Sequence, residues 1–397
     1  MRRTMIWVLG TVLAALVGLR LLVPAPEEVR SVMASLPDGD ECNILDLDLP
    51  VTTQTAGSAL IAEMNSYYLT RTPTTKNACT GLLAGKNLIL ILAENWQPAT
   101  DWTGSPSLYR LWGEGAEILD VYAPDWYQGG EGRAFALLTG LTPTTVEGQT
   151  AFHWAGEQKT FLPFALARSL TEAGYTTLAA VPEAGQEDGY AALGFSAVET
   201  GGTSDLDRVS RVLPDAGPFF LYCVWTEDTG ERALTWLLST LAERGLANDT
   251  AICIFTGDFR PVRGGLVLWG PGLEGVQGSG PCSDLDVTPT LLNLFGIQYD
   301  SRFLFGRDLF ATGGQTRLVF DAMPLVSLYG SAYSDWVTEL GRFFSAPDSG
   351  FQTELDVFST EQEEQRYVRQ IRQMVYDRYV FARRALEENY FRLALGS

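Results

Sequence analysis

Two kinds of hydrophobic pattern alternate along this chain. Leu88–Leu92, Thr176–Val181, Phe219–Trp225, Ala251–Phe255 and Leu266–Trp269 are short, nearly unbroken apolar runs, as expected for strands covered on both faces. Between them, Ser107–Glu114, Arg133–Leu138, Phe164–Ala173 and Glu231–Arg244 repeat apolar positions every three or four residues and read as helices. Gly140 and Pro143 end the second helix, and Gly174 ends the third. Strand–helix alternation at this spacing predicts an α/β domain with a mainly parallel central sheet flanked by helices. In such sheets ligands bind beyond the carboxyl ends of the strands.

The two ends of the chain follow other patterns. Arg2 and Arg3 precede an apolar run, Met5 to Val23, close to the ~20 residues a helix needs to cross a bilayer. Paired arginines on the amino side hold that end inside. A cleavage site at Val23-Pro24-Ala25 is disfavoured by Pro26. Residues 1–25 are therefore predicted to form an uncleaved single-pass anchor in the cell membrane, N-terminus inside, with the main domain extracytoplasmic. Residues 26–85 read as a stalk and lead-in, a solvated linker with acidic and threonine-rich stretches and one helix over Ala59–Tyr68. Residues 86–312 carry the α/β pattern, and 313–397 form a C-terminal extension. There Val368, Ile371, Val375, Tyr379, Ala382 and Leu386 mark one stripe of a long amphipathic helix that should pack along its own domain. Arg366, Arg369, Arg372, Arg383 and Arg384 make it locally basic, suited to an anionic envelope polymer or a lipid head group.

Charge narrows the function. With 28 Lys+Arg against 48 Asp+Glu the net charge is −20, which argues against a nucleic-acid partner. Five dispersed cysteines without a CxxC pair argue against a disulfide framework or a cysteine zinc site. The one histidine, His153, excludes any site needing two imidazoles from one chain and reads as a packing or surface residue. No Gly-x-Ser-x-Gly elbow accompanies it. Glu94, Thr226-Glu227-Asp228 and Gly257-Asp258 stand at three strand ends, a cluster of acids suited to a hard cation. Asp284 and Asp286, ahead of Val287-Thr288-Pro289-Thr290, read as helix caps, and Cys223 and Cys253 as small buried hydrophobes.

Several segments resemble a known family in its own order. Lys86–Trp96 is similar to the opening strand of sulfatase-like proteins, especially the lipoteichoic acid synthases of the alkaline phosphatase superfamily. Gln128-Gly129-Gly130-Glu131-Gly132-Arg133-Ala134-Phe135, with Leu138-Thr139-Gly140-Leu141-Thr142-Pro143, looks like the family's nucleophile segment. Thr256-Gly257-Asp258, Ser283-Asp284-Leu285-Asp286-Val287-Thr288-Pro289-Thr290 and Phe305-Gly306-Arg307-Asp308-Leu309-Phe310 follow in place, so the resemblance spans about residues 86–310. It implies a metal-dependent phosphoglycerol transferase or hydrolase. In that family a threonine nucleophile and a Mn or Mg ion are held by an early acid and a late Asp-His pair. The early acid maps onto Glu94, the late aspartate onto Asp258, the histidine onto Phe259 and the nucleophile onto Glu131. Ala134 stands where the family has a glutamate, and Glu227 and Asp228 occupy the substrate-side histidine region. Phenylalanine cannot ligate a metal, and Gly129–Phe135 contains no hydroxyl. The expectation is a degenerate site in which Glu131 is inactive, Glu94 and Asp258 are vestigial ligands and no cofactor is bound, on a binding or scaffold protein of the cell envelope. The alternative is an active phosphotransferase or hydrolase with a rebuilt all-carboxylate metal site. On either reading Glu94, Glu131 and Asp258 should converge, with Phe259 facing the same hollow.

Overall fold

A computed structural model describes residues 41–45, 56–94, 96, 103–126, 128–226, 230–256, 265–311, 316–321, 335–343, 351–352 and 357–395. The expected anchor, and Glu227, Asp228, Asp258 and Phe259, lie outside the described residues. Among the described residues no helix is long and apolar enough to cross a membrane.

The central sheet has six strands: β1 (Asn87–Ala93), β2 (Thr176–Ala180), β3 (Ala197–Glu199), β4 (Phe219–Trp225), β5 (Thr250–Thr256) and β6 (Leu266–Trp269), in the order β3-β2-β4-β1-β5-β6. All neighbours are parallel except β5 and β6, whose connection is too short for a crossover. β1 lies at the centre, with Leu88 opposite Phe220 and Ala251, and Ala93 opposite Trp225 and Thr256.

The unbroken apolar runs now have their reason. On one face Leu88, Leu90 and Leu92 join Phe220, Tyr222, Cys253 and Phe255. On the other, Ile89, Ile91 and Ala93 join Leu221, Cys223, Ile252 and Ile254. Every residue of β1, β4 and β5 is buried, because helices cover both faces. The first face is covered by α1 (Ala56–Leu69), α3 (Gly129–Thr139), α4 (Ala151–Gln158), α5 (Leu166–Glu172), α6 (Glu187–Ala192) and α9 (Val287–Leu294). The second is covered by α2 (Pro106–Glu114), α7 (Asp205–Val212) and α8 (Gly230–Glu243).

The helix expected over Arg133–Leu138 begins four residues earlier, at Gly129. Three glycines argue against a helix by propensity, but at two of them a neighbouring side chain occupies the space a Cβ would take. A Cβ on Gly132 would stand 2.9 Å from Trp126 Cβ, and one on Gly130 would fall on the Glu94 carboxylate.

The expected solvated lead-in is packed where it is described. Met64 and Tyr68 of α1 are fully buried, and Tyr68 sits among Phe303, Phe305, Tyr390 and Phe391. Its apolar turn was too valuable to leave in water. The C-terminal helix, α10 (Glu361–Glu387), packs against its own domain as its stripe predicts, followed by α11 (Tyr390–Leu395). Ile371 and Val375 pack with Trp126, Phe320 and Trp336, while Ala382, Ala385 and Leu386 enter the main core. Near its lower half, Leu318–Phe320, Trp336–Thr338, Gly341–Phe343 and Phe351–Gln352 form a small antiparallel sheet, β7 to β10. The buried Arg378 donates to the Leu318 carbonyl at 3.3 Å, tying helix to sheet.

Candidate functional site

Glu94 is the first residue past β1. Its N–H donates to the Trp225 carbonyl at 2.9 Å, so the ladder with β4 carries the chain to the carboxyl end before the side chain turns inward. The half-buried carboxylate lies against the first turn of α3, where an ideal Cβ on Gly130 would be 2.0 Å from Glu94 Oε1. Glycine at 130 leaves that space to the carboxylate. An anion at a helix amino end is favoured by the backbone dipoles. Burial nevertheless pushes the Glu94 carboxyl up from its ordinary range; Arg133 opposes this, and Glu183 and Asp205 add to it.

Glu131, one residue on, points elsewhere. Its Oε1 accepts from Gln186 Nε2 at 2.9 Å, and the same amide donates to Glu183 Oε2 at 2.8 Å. One neutral amide thus bridges two carboxylates. Glu183 stands just past β2 and applies the same strand-end rule as Glu94. Tyr190 and Tyr222 are buried beneath; burial first, then the fields of Glu94, Glu131 and Glu183, hold the Tyr190 proton on its hydroxyl. Past β4, Thr226 N donates to Asp205 Oδ2 at 2.9 Å, and Asp205 is paired with Arg208 inside the fold. At the end of β5 the buried Thr256 hydroxyl has no partner among the described residues.

Glu94 and Glu131 thus stand at the carboxyl ends of the strands with different partners, Glu94 against Gly130 and Glu131 on Gln186 beside Glu183 and above Tyr190, three residues that sequence reasoning missed. Glu183 could have been found in Val181-Pro182-Glu183, an acid directly after an apolar run. Gln186 and Tyr190 carry no signal without the tertiary fold. Position 130, not 131, faces the Glu94 carboxylate.

Of the two expected caps, Asp286 is one: Oδ2 accepts from Ser283 N at 2.8 Å in a capping box, and Oδ1 accepts from Arg307 N at 2.8 Å. Asp284 has another role. It is fully buried, Oδ2 accepts from Trp126 Nε1 at 2.6 Å, and Arg133 Nε stands 4.0 Å away. It therefore pins the loop that leads into α3. Burial pushes its carboxyl up to about 7, against the pull of Arg133 and Trp126. His153 is exposed, with Nε2 3.3 Å from Glu157 Oε1. All five cysteines are free, and burial raises the Cys223 and Cys253 thiols.

A divalent ion of the kind the resemblance implies needs several hard donors around one point. Among the described residues no three acidic, histidine or cysteine side chains form such a set. The Glu94 oxygen lies against Gly130, and the Glu131 oxygen lies on Gln186. The described part of the hollow therefore does not fit a cation on its own.

No family model matches the chain, and no curated protein does. Solved structures do. The lipoteichoic acid synthase LtaP from Listeria monocytogenes superposes with a TM-score of 0.60 at 14% identity, over 83% of this chain and 97% of that one. A protein in the alkaline phosphatase superfamily from Vibrio parahaemolyticus gives 0.55 at 16% identity, over 85% and 98%. BT4656, solved with its substrate D-glucosamine-2-N,6-O-disulfate, gives 0.50 at 12% identity, over 75% and 98%. These superpositions show that the chain has the sulfatase-like fold found in the alkaline phosphatase superfamily.

Proposed function

We propose that this is a membrane-anchored, extracytoplasmic, sulfatase-like protein, related to lipoteichoic acid synthases, whose catalytic site has been given up and whose fold serves as a binding or scaffold module of the cell envelope. One observation carries the reading. At the amino end of α3, the segment that resembles the family's nucleophile run, the side-chain space of residue 130 is filled by the Glu94 carboxylate, and Gly129–Phe135 offers no hydroxyl. Covalent phosphoryl transfer of the family type needs an oxygen nucleophile whose proton can leave, held in line and neutralised by metal. Here the position facing the early acid has no side chain. The neighbouring carboxylate of Glu131 already accepts a hydrogen bond from an amide. The chain's one imidazole is exposed on α4, beside Glu157.

The test is turnover of phosphatidylglycerol by the full-length chain in detergent with Mn²⁺. The expected result is background release of diacylglycerol. Turnover above background that collapses in Glu131→Ala would overturn the reading and make Glu131 a nucleophile.

A second reading, a rebuilt all-carboxylate cation site, draws support from Glu94, Glu131 and Glu183 acting together on Tyr190. Like charges so placed are relieved by a bound cation. Asp258 would have to join them. Under this reading Mg²⁺ or Mn²⁺ raises the melting temperature, and Glu94→Gln abolishes the rise.

A further inference from the structure

A second hollow lies at the opposite end of the sheet. Ala173, just before β2 begins, and Ile297, just after α9, line a groove of about 530 Å³ together with Leu45, Pro163, Phe164 and Leu395. Most of its lining residues are apolar, with Ser169, Gln298 and the carboxylate of Glu172 as polar points. Phe161 closes one side, and two guanidinium groups lie over its ring: Arg168 Cζ at 5.2 Å from the centroid and Arg392 Cζ at 5.8 Å.

Those arginines are oddly placed for a chain with a net charge of −20. Among the described residues neither forms an ion pair. Arg168 Nη2 donates to the Ala192 carbonyl at 2.8 Å and Arg392 Nη2 to the Lys159 carbonyl at 3.2 Å, while Arg168 Nε is buried without a partner. Glu172, on the groove wall, acts on Arg168 only through its field, and Arg392 acts against it. Two like charges held over one ring beside an apolar trough complement a ligand with an anionic head and a hydrocarbon tail.

We infer that this groove binds an anionic membrane phospholipid, its acyl chain along Ile297, Phe164 and Leu395 and its phosphate at Arg168 and Arg392. The source of the lipid rests on the membrane-anchored reading. At most about 70 Å of extended chain separates Leu45 from the end of the apolar run at residue 25. An extended polyanion would use the arginines and leave the apolar trough empty, so the lipid fits the whole site.

The experiment uses the full-length chain in neutral detergent with soluble dihexanoyl phosphatidic acid as the probe, and maps amide hydrogen exchange. Saturable protection is expected at 161–173 and 295–298. Dihexanoyl phosphatidylcholine and inorganic phosphate should each bind at least tenfold more weakly. Arg168→Gln and Arg392→Gln should each weaken the probe by roughly tenfold or more, and Glu172→Gln, which removes the groove's negative field, should tighten it. Because that last change is a gain, misfolding cannot imitate it. Equal affinity for phosphatidylcholine, equal affinity for a polyglycerol phosphate without acyl chains, or no protection of these segments would each overturn the inference. The probe needs no anchor, and protection is read far from Glu94 and Glu131. Failure here therefore leaves the phosphatidylglycerol turnover test standing by itself.

Discussion

Replacing Gly130 by alanine adds one methyl group in the first turn of α3, against the Glu94 carboxylate. That Cβ would sit 2.0 Å from Glu94 Oε1 and 3.0 Å from Cδ. A carbon and an oxygen normally approach no closer than about 3.2 Å, so the carboxylate must retreat by more than an ångström. It can do so, because the clashing atom ends a flexible side chain and residue 130 has no left-handed backbone to protect. A different Glu94 rotamer carries the charge toward water and removes the burial that raises its proton affinity. The sign follows. A carboxyl raised in the fold lowers stability as pH climbs from the ordinary glutamate range through its folded value. Gly130→Ala should therefore gain on the wild type as pH rises. A further gain of about 0.5–1 kcal/mol comes from replacing glycine within a helix. Urea denaturation near pH 4 and near pH 7, with a ¹³C titration of the Glu94 carboxyl assigned through Glu94→Gln, measures both effects. A loss of about 1–3 kcal/mol at neutral pH, the common cost of an overpacked methyl group, with the Glu94 carboxyl raised further, would refute the reasoning. It would show that the carboxylate has no second place to go.

Other consequences are simpler to state. Asp284 and Asp308 are both pushed up to about 7 by burial, so each should make stability fall as pH rises from about 4, the ordinary carboxyl value, through about 7. Asp284→Asn should remove one such contribution, and an unchanged slope in a pH series of melts would count against it. Mn²⁺ should leave the melting temperature unmoved, whereas a ligand at about 100 times its dissociation constant would add about 2.7 kcal/mol, readily seen by calorimetry. Tyr68→Ala should cost about 3–5 kcal/mol in urea denaturation, since a fully buried ring is removed from an aromatic cluster; a loss under 1 kcal/mol would mean that α1 is not anchored there.

The strands were readable because helices cover both faces of the sheet, which leaves no polar alternation in β1, β4 and β5. The start of α3 was not, because Gly130 and Gly132 are chosen by neighbours distant or out of register in the sequence rather than by helix propensity. Tyr68 shows the same limit. A short helix in a threonine-rich lead-in carries no mark that its partners lie at Phe303 and Tyr390. In the hollow, Glu94 was legible as a strand-end acid, and Glu183 obeys the same rule after a run broken by Pro182. Gln186 was silent, since a surface-type amide reveals its role only when Glu131 and Glu183 meet on either side of it.

The clasp between α1 and the C-terminal helices sets the order of events in biogenesis. Tyr68 donates to the Phe381 carbonyl across 313 residues, Arg384 pairs with Glu63 across 321, and Tyr390 donates to Asn65 across 325. Closing such a loop costs about 2 kcal/mol more than closing one a tenth as long, and none of these contacts exists until the final helix has been synthesised. A nascent chain therefore emerges with the apolar side of α1 unpaired and must be shielded until its last segment arrives. Chains that stop short of α10 would keep that surface exposed, which gives a quality-control protease a direct way to tell finished molecules from unfinished ones.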